Sequence, residues 1–212
     1  MKLYKKHMLL YGVTDRAWTG EKSLYTQVKE ALKGGVTCIQ LREKSLNDEE
    51  FLKEARKISA LCREYKVPFI INDNVNVAIA CNADGIHIGQ DDMDLKTVRS
   101  LVGEDMIIGV STHNVEEAKK AQIEGADYIG IGAVFNTSTK NNTKPISFDE
   151  LKAVCEAVDI PKVAIGGING ENVLDLKGSG IDGVAVVSAI FGAGDITGST
   201  EELLTLAKEV VE

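Results

Sequence analysis

The sequence predicts an α/β fold, a single-domain (β/α)8 TIM barrel over residues 1–212. Three observations point there. Eight short apolar runs alternate with longer amphipathic stretches along the chain. The runs are almost continuously apolar, as in parallel strands covered by helices. Four of them also share a repeat of small residues, an acid or polar residue, then alternating apolar ones. That repeat favours closure into a ring over the alternative, an open doubly wound sheet.

In chain order, "MLLYGVT" from Met8 supplies the first strand, and "GGVTCIQL" from Gly34 supplies the second and the first copy of the repeat. Asn47 then stands before the acidic first turn of "DEEFLKEARKISALCREYK", the signature of a capped helix. "VPFIIND" from Val67 and "NADGIHIG" from Asn82 give strands three and four, with a helix beginning near Leu95. "MIIGVST" from Met106 is the fifth strand, and Asn114 precedes the helical "VEEAKKAQIEGA". "GADYIGIG" from Gly125 is the sixth; Ser147 with Glu150 makes a capping box before "FDELKAVCEAV". "IPKVAIGG" from Ile160 and "GSGIDGVAVV" from Gly178 complete the eight, and Val187 and Ser188 open a short extra helix before the last one.

Composition narrows the function. A net charge of −8 argues against a nucleic-acid partner, which would require a basic face. The apolar run at Met8 to Val13 is too short for a membrane span and lacks a signal-peptide layout, so the expected location is the cytoplasm, away from membranes. Cys38, Cys62, Cys81 and Cys155 lie far apart with no C-x-x-C pair, which predicts reduced core thiols rather than zinc or redox chemistry. Nothing in the composition fixes an oligomeric state, and a homo-oligomer is compatible with it.

In such barrels the C-terminal ends of the strands and the loops after them carry the chemistry. At the second strand, alternation puts Gln40, Arg42 and Lys44 on the mouth side and Leu41 and Glu43 on the other. Two cations one pleat apart suit an anion between them. The third strand ends in Asn72 and Asp73, and the fourth runs into Asp91, Asp92 and Asp94. Carboxylates from neighbouring strand ends can share Mg²⁺, which takes one or two of them and completes its shell with phosphate oxygens and water. Spacing alone does not separate Asp91 from Asp92, and one of the trio can instead cap the next helix.

Ser111 closes the fifth strand, placed either to donate to phosphate or to cap a helix. The polar loop "FNTSTKNNTKPIS" carries Thr137, Thr139 and Lys140, a hydroxyl and cation set suited to phosphate. Gly166 and Gly167, with Val187 and Ser188 at a helix start, form the backbone phosphate corner common in such barrels. His87 reads equally as a bonded core residue or a base. No serine, histidine and acid set and no nucleophilic cysteine stands out, so leaving-group departure helped by cations fits better than attack by a protein nucleophile.

The motifs "QLREK" at 40–44, "ND" at 72–73, "ADGIHIGQDD" at 83–92, "GVS" at 109–111, "TSTK" at 137–140, "IGGI" at 165–168 and "VVSAI" at 186–190 together resemble the thiamine-phosphate synthase (thiamine-phosphate pyrophosphorylase) family. The resemblance implies a transferase that joins a hydroxymethylpyrimidine diphosphate to a thiazole phosphate with Mg²⁺, releasing diphosphate through a carbocation-like displacement. It implies a pyrimidine-diphosphate site at Gln40, Leu41, Arg42, Glu43, Lys44, Asn72, Ser111 and Lys140, and magnesium ligands at Asp73 and Asp92, which selects between Asp91 and Asp92. It also implies thiazole-phosphate contacts at Thr137, Ser138, Thr139, Gly167, Val187 and Ser188. Catalytic roles would fall to Arg42, Lys44, Lys140 and Ser111. Two positions depart from the family pattern: Asn136 replaces a frequent proline and Asn74 a common arginine. The alternatives are a thiazole tautomerase on the same barrel, which needs a proton-transfer base, and a non-catalytic phosphometabolite-binding barrel.

Overall fold

In the computed structural model, which describes residues 3–137 and 145–212, eight parallel strands close into a barrel in chain order. They are β1 (Leu10–Val13), β2 (Cys38–Leu41), β3 (Phe69–Asn72), β4 (Gly85–Ile88), β5 (Ile107–Thr112), β6 (Tyr128–Gly132), β7 (Lys162–Ile165) and β8 (Gly183–Val186). All eight predicted runs contain one. The described helices are α1 (Leu24–Lys33), α2 (Asp48–Tyr65), α3 (Val75–Ala80), α4 (Leu95–Val102), α5 (Val115–Glu124), α6 (Phe148–Glu156), α7 (Ser188–Phe191) and α8 (Ile196–Val211).

Alternation along the strands divides the interior into two layers. Leu10, Ile39, Ile71, Ile86, Ile108 and Ile129 face the helices and join their apolar sides in one cluster. Tyr11, Cys38, Ile70, Ile107, Tyr128 and Val163 point the other way and fill the barrel. Each fully buried Ile or Leu contributes roughly 1.5–3 kcal/mol relative to exposure. All four cysteines are buried and free, as expected for core thiols. Among the described residues, no helix is long and apolar enough to cross a membrane.

The fourfold sequence repeat has a bonding counterpart at the N-terminal rim. The Asp84 carboxylate accepts from Phe69 N–H at 3.0 Å while Asp84 N–H donates to Phe69 C=O at 2.9 Å. Asp127 makes the same reciprocal pair with Ile108 at 2.8 Å each way, and Asp182 with Lys162 at 2.9 and 2.8 Å. In the first copy the Thr37 hydroxyl replaces the carboxylate, accepting from Leu10 N–H at 2.9 Å. Each even strand is thus clamped to the odd strand before it.

Helix starts follow the expected caps. Asn47, Asn114 and Asp94 each accept a backbone N–H of the following first turn, and Ser147 with Glu150 completes its capping box. Asp94 is therefore the member of the acidic trio that caps. Strand and helix do not alternate everywhere, however. Between β7 and β8 the chain forms only a 3-10 turn, Val173–Leu176. Glycines at 166, 167, 170, 178 and 180 disfavour a full helix there, and buried Val173 and Leu176 anchor the single turn.

Candidate active site at the C-terminal rim

The C-terminal ends of the strands surround a cavity of about 400 Å³. Gln40, Arg42 and Lys44 line it from β2 and the loop beyond. Leu41 and Glu43 point away: Leu41 is fully buried in the outer apolar layer, and the Glu43 carboxylate holds Arg16 Nε at 2.8 Å. Neither side chain lines the cavity, which limits any ligand contact at these two positions to the main chain. Burial pushes the Glu43 carboxyl above its ordinary range, and the Arg16 guanidinium opposes that shift.

The two cations are held separately. Arg42 Nη1 donates to Asp15 Oδ2 at 2.7 Å, and its backbone N–H donates to the Thr14 hydroxyl at 3.1 Å. Lys44 Nζ reaches Asp73 Oδ2 at 2.5 Å. Asp73 itself sits in the left-handed region, at φ +62°, in the tight turn from β3 to α3. Asp tolerates this better than most residues, at a cost of about 1–3 kcal/mol. Its N–H donates to His87 C=O at 2.9 Å, and Asn72 Nδ2 donates to its Oδ1.

Burial raises the Asp73 carboxyl above the usual range, Asp92 pushes it the same way, and Lys44 pulls it back. Asp92 also accepts the Gly89 N–H at 2.7 Å. A carboxylate at Asp73 whose ionisation the neighbouring Asp92 disfavours suits a divalent cation, and two carboxylates is a number that Mg²⁺ commonly takes from protein. Among the described residues, no group of three or more His, Cys, Asp or Glu gathers as a metal cage. The residues therefore fit a cation that draws its other ligands from substrate and water.

Asn72, His87, Asp91 and Ser111 line the same cavity, and Gln90 Nε2 donates to Ser111 C=O at 2.6 Å. Ser111 does not cap α5; Asn114 does. Across the mouth lie Thr137, Gly166, Gly167, Val187 and Ser188. Gly166 and Gly167 have φ of +108° and +67°, and a Cβ on Gly167 would stand 2.9 Å from the Phe135 Cβ. Ser138, Thr139 and Lys140 lie outside the described residues. Asn74 proves to be a helix cap: it accepts from Val77 N–H and donates to Asp48 at 2.9 Å, so α3 starts there without a charged side chain.

Sequence reasoning missed Asp15 and Arg16, which brace the end of β2. Both follow the end of β1, and the strand-end rule applied to that strand would have drawn attention to them. It also missed Tyr11 and Tyr128, whose hydroxyls meet inside the barrel at 2.7 Å from 117 positions apart.

Comparison with known proteins agrees with this fold. The family profile described as thiamine monophosphate synthase matches residues 10–190. A thiamine-phosphate synthase of Methanobrevibacter smithii is 50% identical over 195 residues, covering 92% of this chain and 93% of its own. One from Clostridium acetobutylicum is 46% identical over 200 residues, covering 94% and 95%. The solved thiamine phosphate pyrophosphorylase from Pyrococcus furiosus superposes with a TM-score of 0.90 at 39% identity, covering 98% of this chain and 99% of that one. With the profile spanning most of the chain and such relatives along nearly its whole length, this chain belongs to the thiamine monophosphate synthase family.

Proposed function

We propose that this chain couples 4-amino-2-methyl-5-(diphosphooxymethyl)pyrimidine with 4-methyl-5-(2-phosphooxyethyl)thiazole, giving thiamine phosphate and diphosphate with Mg²⁺. The observation that carries the reading is the meeting of Arg42, Lys44, Asp73 and Asp92 at one side of a single cavity, opposite Gly167 and Ser188. The charged side suits a diphosphate that must leave; the glycine side suits a phosphate that need only be held.

In the reaction the bond between the pyrimidine methylene carbon and the diphosphate oxygen breaks, and its electron pair leaves with the diphosphate. Arg42 and Lys44, with Lys140 from the loop, stabilise the charge that builds on that oxygen. Asn72 and Ser111 orient the diphosphate, and Gln40 faces the pyrimidine. Asp73 and Asp92 would hold Mg²⁺, which when bound would supply further charge neutralisation at the diphosphate. The electron-rich pyrimidine stabilises the methylene cation, and the thiazole nitrogen attacks it with its own lone pair. No proton moves, so no general base is required. Thr137, Ser138, Thr139, Gly167, Val187 and Ser188 position the thiazole phosphate.

The test is diphosphate release with each component omitted in turn. Release only when both substrates and Mg²⁺ are present supports the coupling; release from the pyrimidine diphosphate alone at the same rate, or none at all, refutes it.

A further inference from the structure

Beneath the cavity, five polar side chains from five strands form one line of hydrogen bonds. Gln40 Nε2 donates to Tyr11 OH at 2.9 Å, and Tyr11 OH lies 2.7 Å from Tyr128 OH. Tyr128 OH lies 2.9 Å from His87 Nδ1, and His87 Nε2 lies 2.9 Å from Ser111 Oγ. The coupling described above uses the two ends of this line and leaves Tyr11, Tyr128 and His87 without a task. Yet the barrel makes room for them. A Cβ on Gly109 would overlap the Tyr128 ring, and one on Gly130 would stand 3.3 Å from His87 Cε1.

Proton counting allows the line a direction that starts at Gln40. An amide NH₂ only donates, and a phenol has a single proton. Tyr11 accepts from Gln40 and has both the Tyr128 hydroxyl and the Cys38 thiol as partners for its own proton; with that proton on Tyr128, the Tyr128 proton goes to His87 Nδ1. A neutral imidazole that accepts at Nδ1 carries its proton on Nε2 and donates it to Ser111 Oγ. Burial keeps both phenols protonated by holding them well above their ordinary range. Ser111, an acceptor in that arrangement, is left with one proton for a partner in the cavity that it lines.

We infer that Tyr11, Tyr128 and His87 are positioning residues whose one-way relay fixes His87 as the Nε2–H tautomer and turns the Ser111 hydroxyl toward a diphosphate oxygen. This rests on the proposed function only for the identity of the anion. The relay itself is read from hydrogen bonds within the protein.

Nitrogen-15 spectra of the histidine-labelled chain, recorded without substrate, test it directly. The expected result is His87 protonated on Nε2; a proton on Nδ1 means that the relay runs the other way and overturns the inference. Binding of inorganic diphosphate with Mg²⁺ then reads the consequence. Tyr128→Phe should populate the second tautomer and weaken the diphosphate Kd about tenfold, the scale of one hydrogen bond to a charged group. With Ser111→Ala already in place the same change should cost less than about twofold, because the relay acts through Ser111. Independent, multiplying effects would contradict it. Neither readout needs turnover, so a failure of the coupling reaction and a failure of the relay are distinguishable.

Discussion

The two rims of the barrel put carboxylates to opposite uses. At the N-terminal rim Asp84, Asp127 and Asp182 repeat one bond, each accepting a backbone N–H from the odd strand beside it. At the C-terminal rim three carboxylates have three different partners: Asp15 holds Arg42, Asp73 meets Lys44, and Asp92 accepts from Gly89. Repetition marks residues that hold strands together, because every strand pair presents the same backbone groups. Its loss at the other rim is what the proposed reaction would ask of residues with separate tasks. Charge alone would not separate the two classes.

The contrast can be broken by substitution at either end. Asp127→Ala should produce the largest change, roughly 2–3 kcal/mol of lost stability, because it strips the Ile108 N–H and the Arg99 guanidinium of a shared acceptor. Urea denaturation measures it, and turnover per folded molecule should stay within about twofold of normal. Arg42→Ala should instead lower turnover per folded molecule, by about tenfold or ~1.4 kcal/mol of barrier. It should also cost about 1–3 kcal/mol of stability, since Asp15 loses the partner of a mostly buried ion pair. Lys140→Ala should lower turnover to a similar degree.

Smaller effects sharpen the comparison. Asn74→Ala removes the cap of α3 and should cost about 1 kcal/mol in thermal denaturation without altering either substrate's KM. Asp73→Asn should slightly raise the melting temperature near neutral pH. The folded state holds the Asp73 proton more tightly than the unfolded chain does. Its ionisation therefore subtracts stability as pH rises through the folded pKa, and asparagine removes that penalty. The gain should vanish below the unfolded pKa, where both states are protonated.

Legibility in the sequence followed the range of the interactions. All eight strands could be read because alternation is a local signal, and the caps at Asn47, Asn114 and Ser147 because each acts within three residues. The fourfold repeat was visible, but not the reciprocal bonds behind it, since each spans from 15 to 27 positions. The 3-10 turn at Val173 to Leu176 escaped because the count of eight units outweighed a glycine-rich stretch that resists helix formation. At the candidate site, strand-end position exposed Arg42, Lys44, Asp73 and Asp92. It could not expose Tyr11 meeting Tyr128, because which inward residues touch depends on strand stagger around a closed ring.

Single-turnover diphosphate release by Arg42→Ala and Asp127→Ala, compared at equal folded concentration, tests the division between the rims most directly. Slow release by the first with near-normal release by the second is the predicted outcome. Equal slowing of both would contradict it, since the charges at the mouth would then matter to the chemistry no more than a strand clamp at the far end.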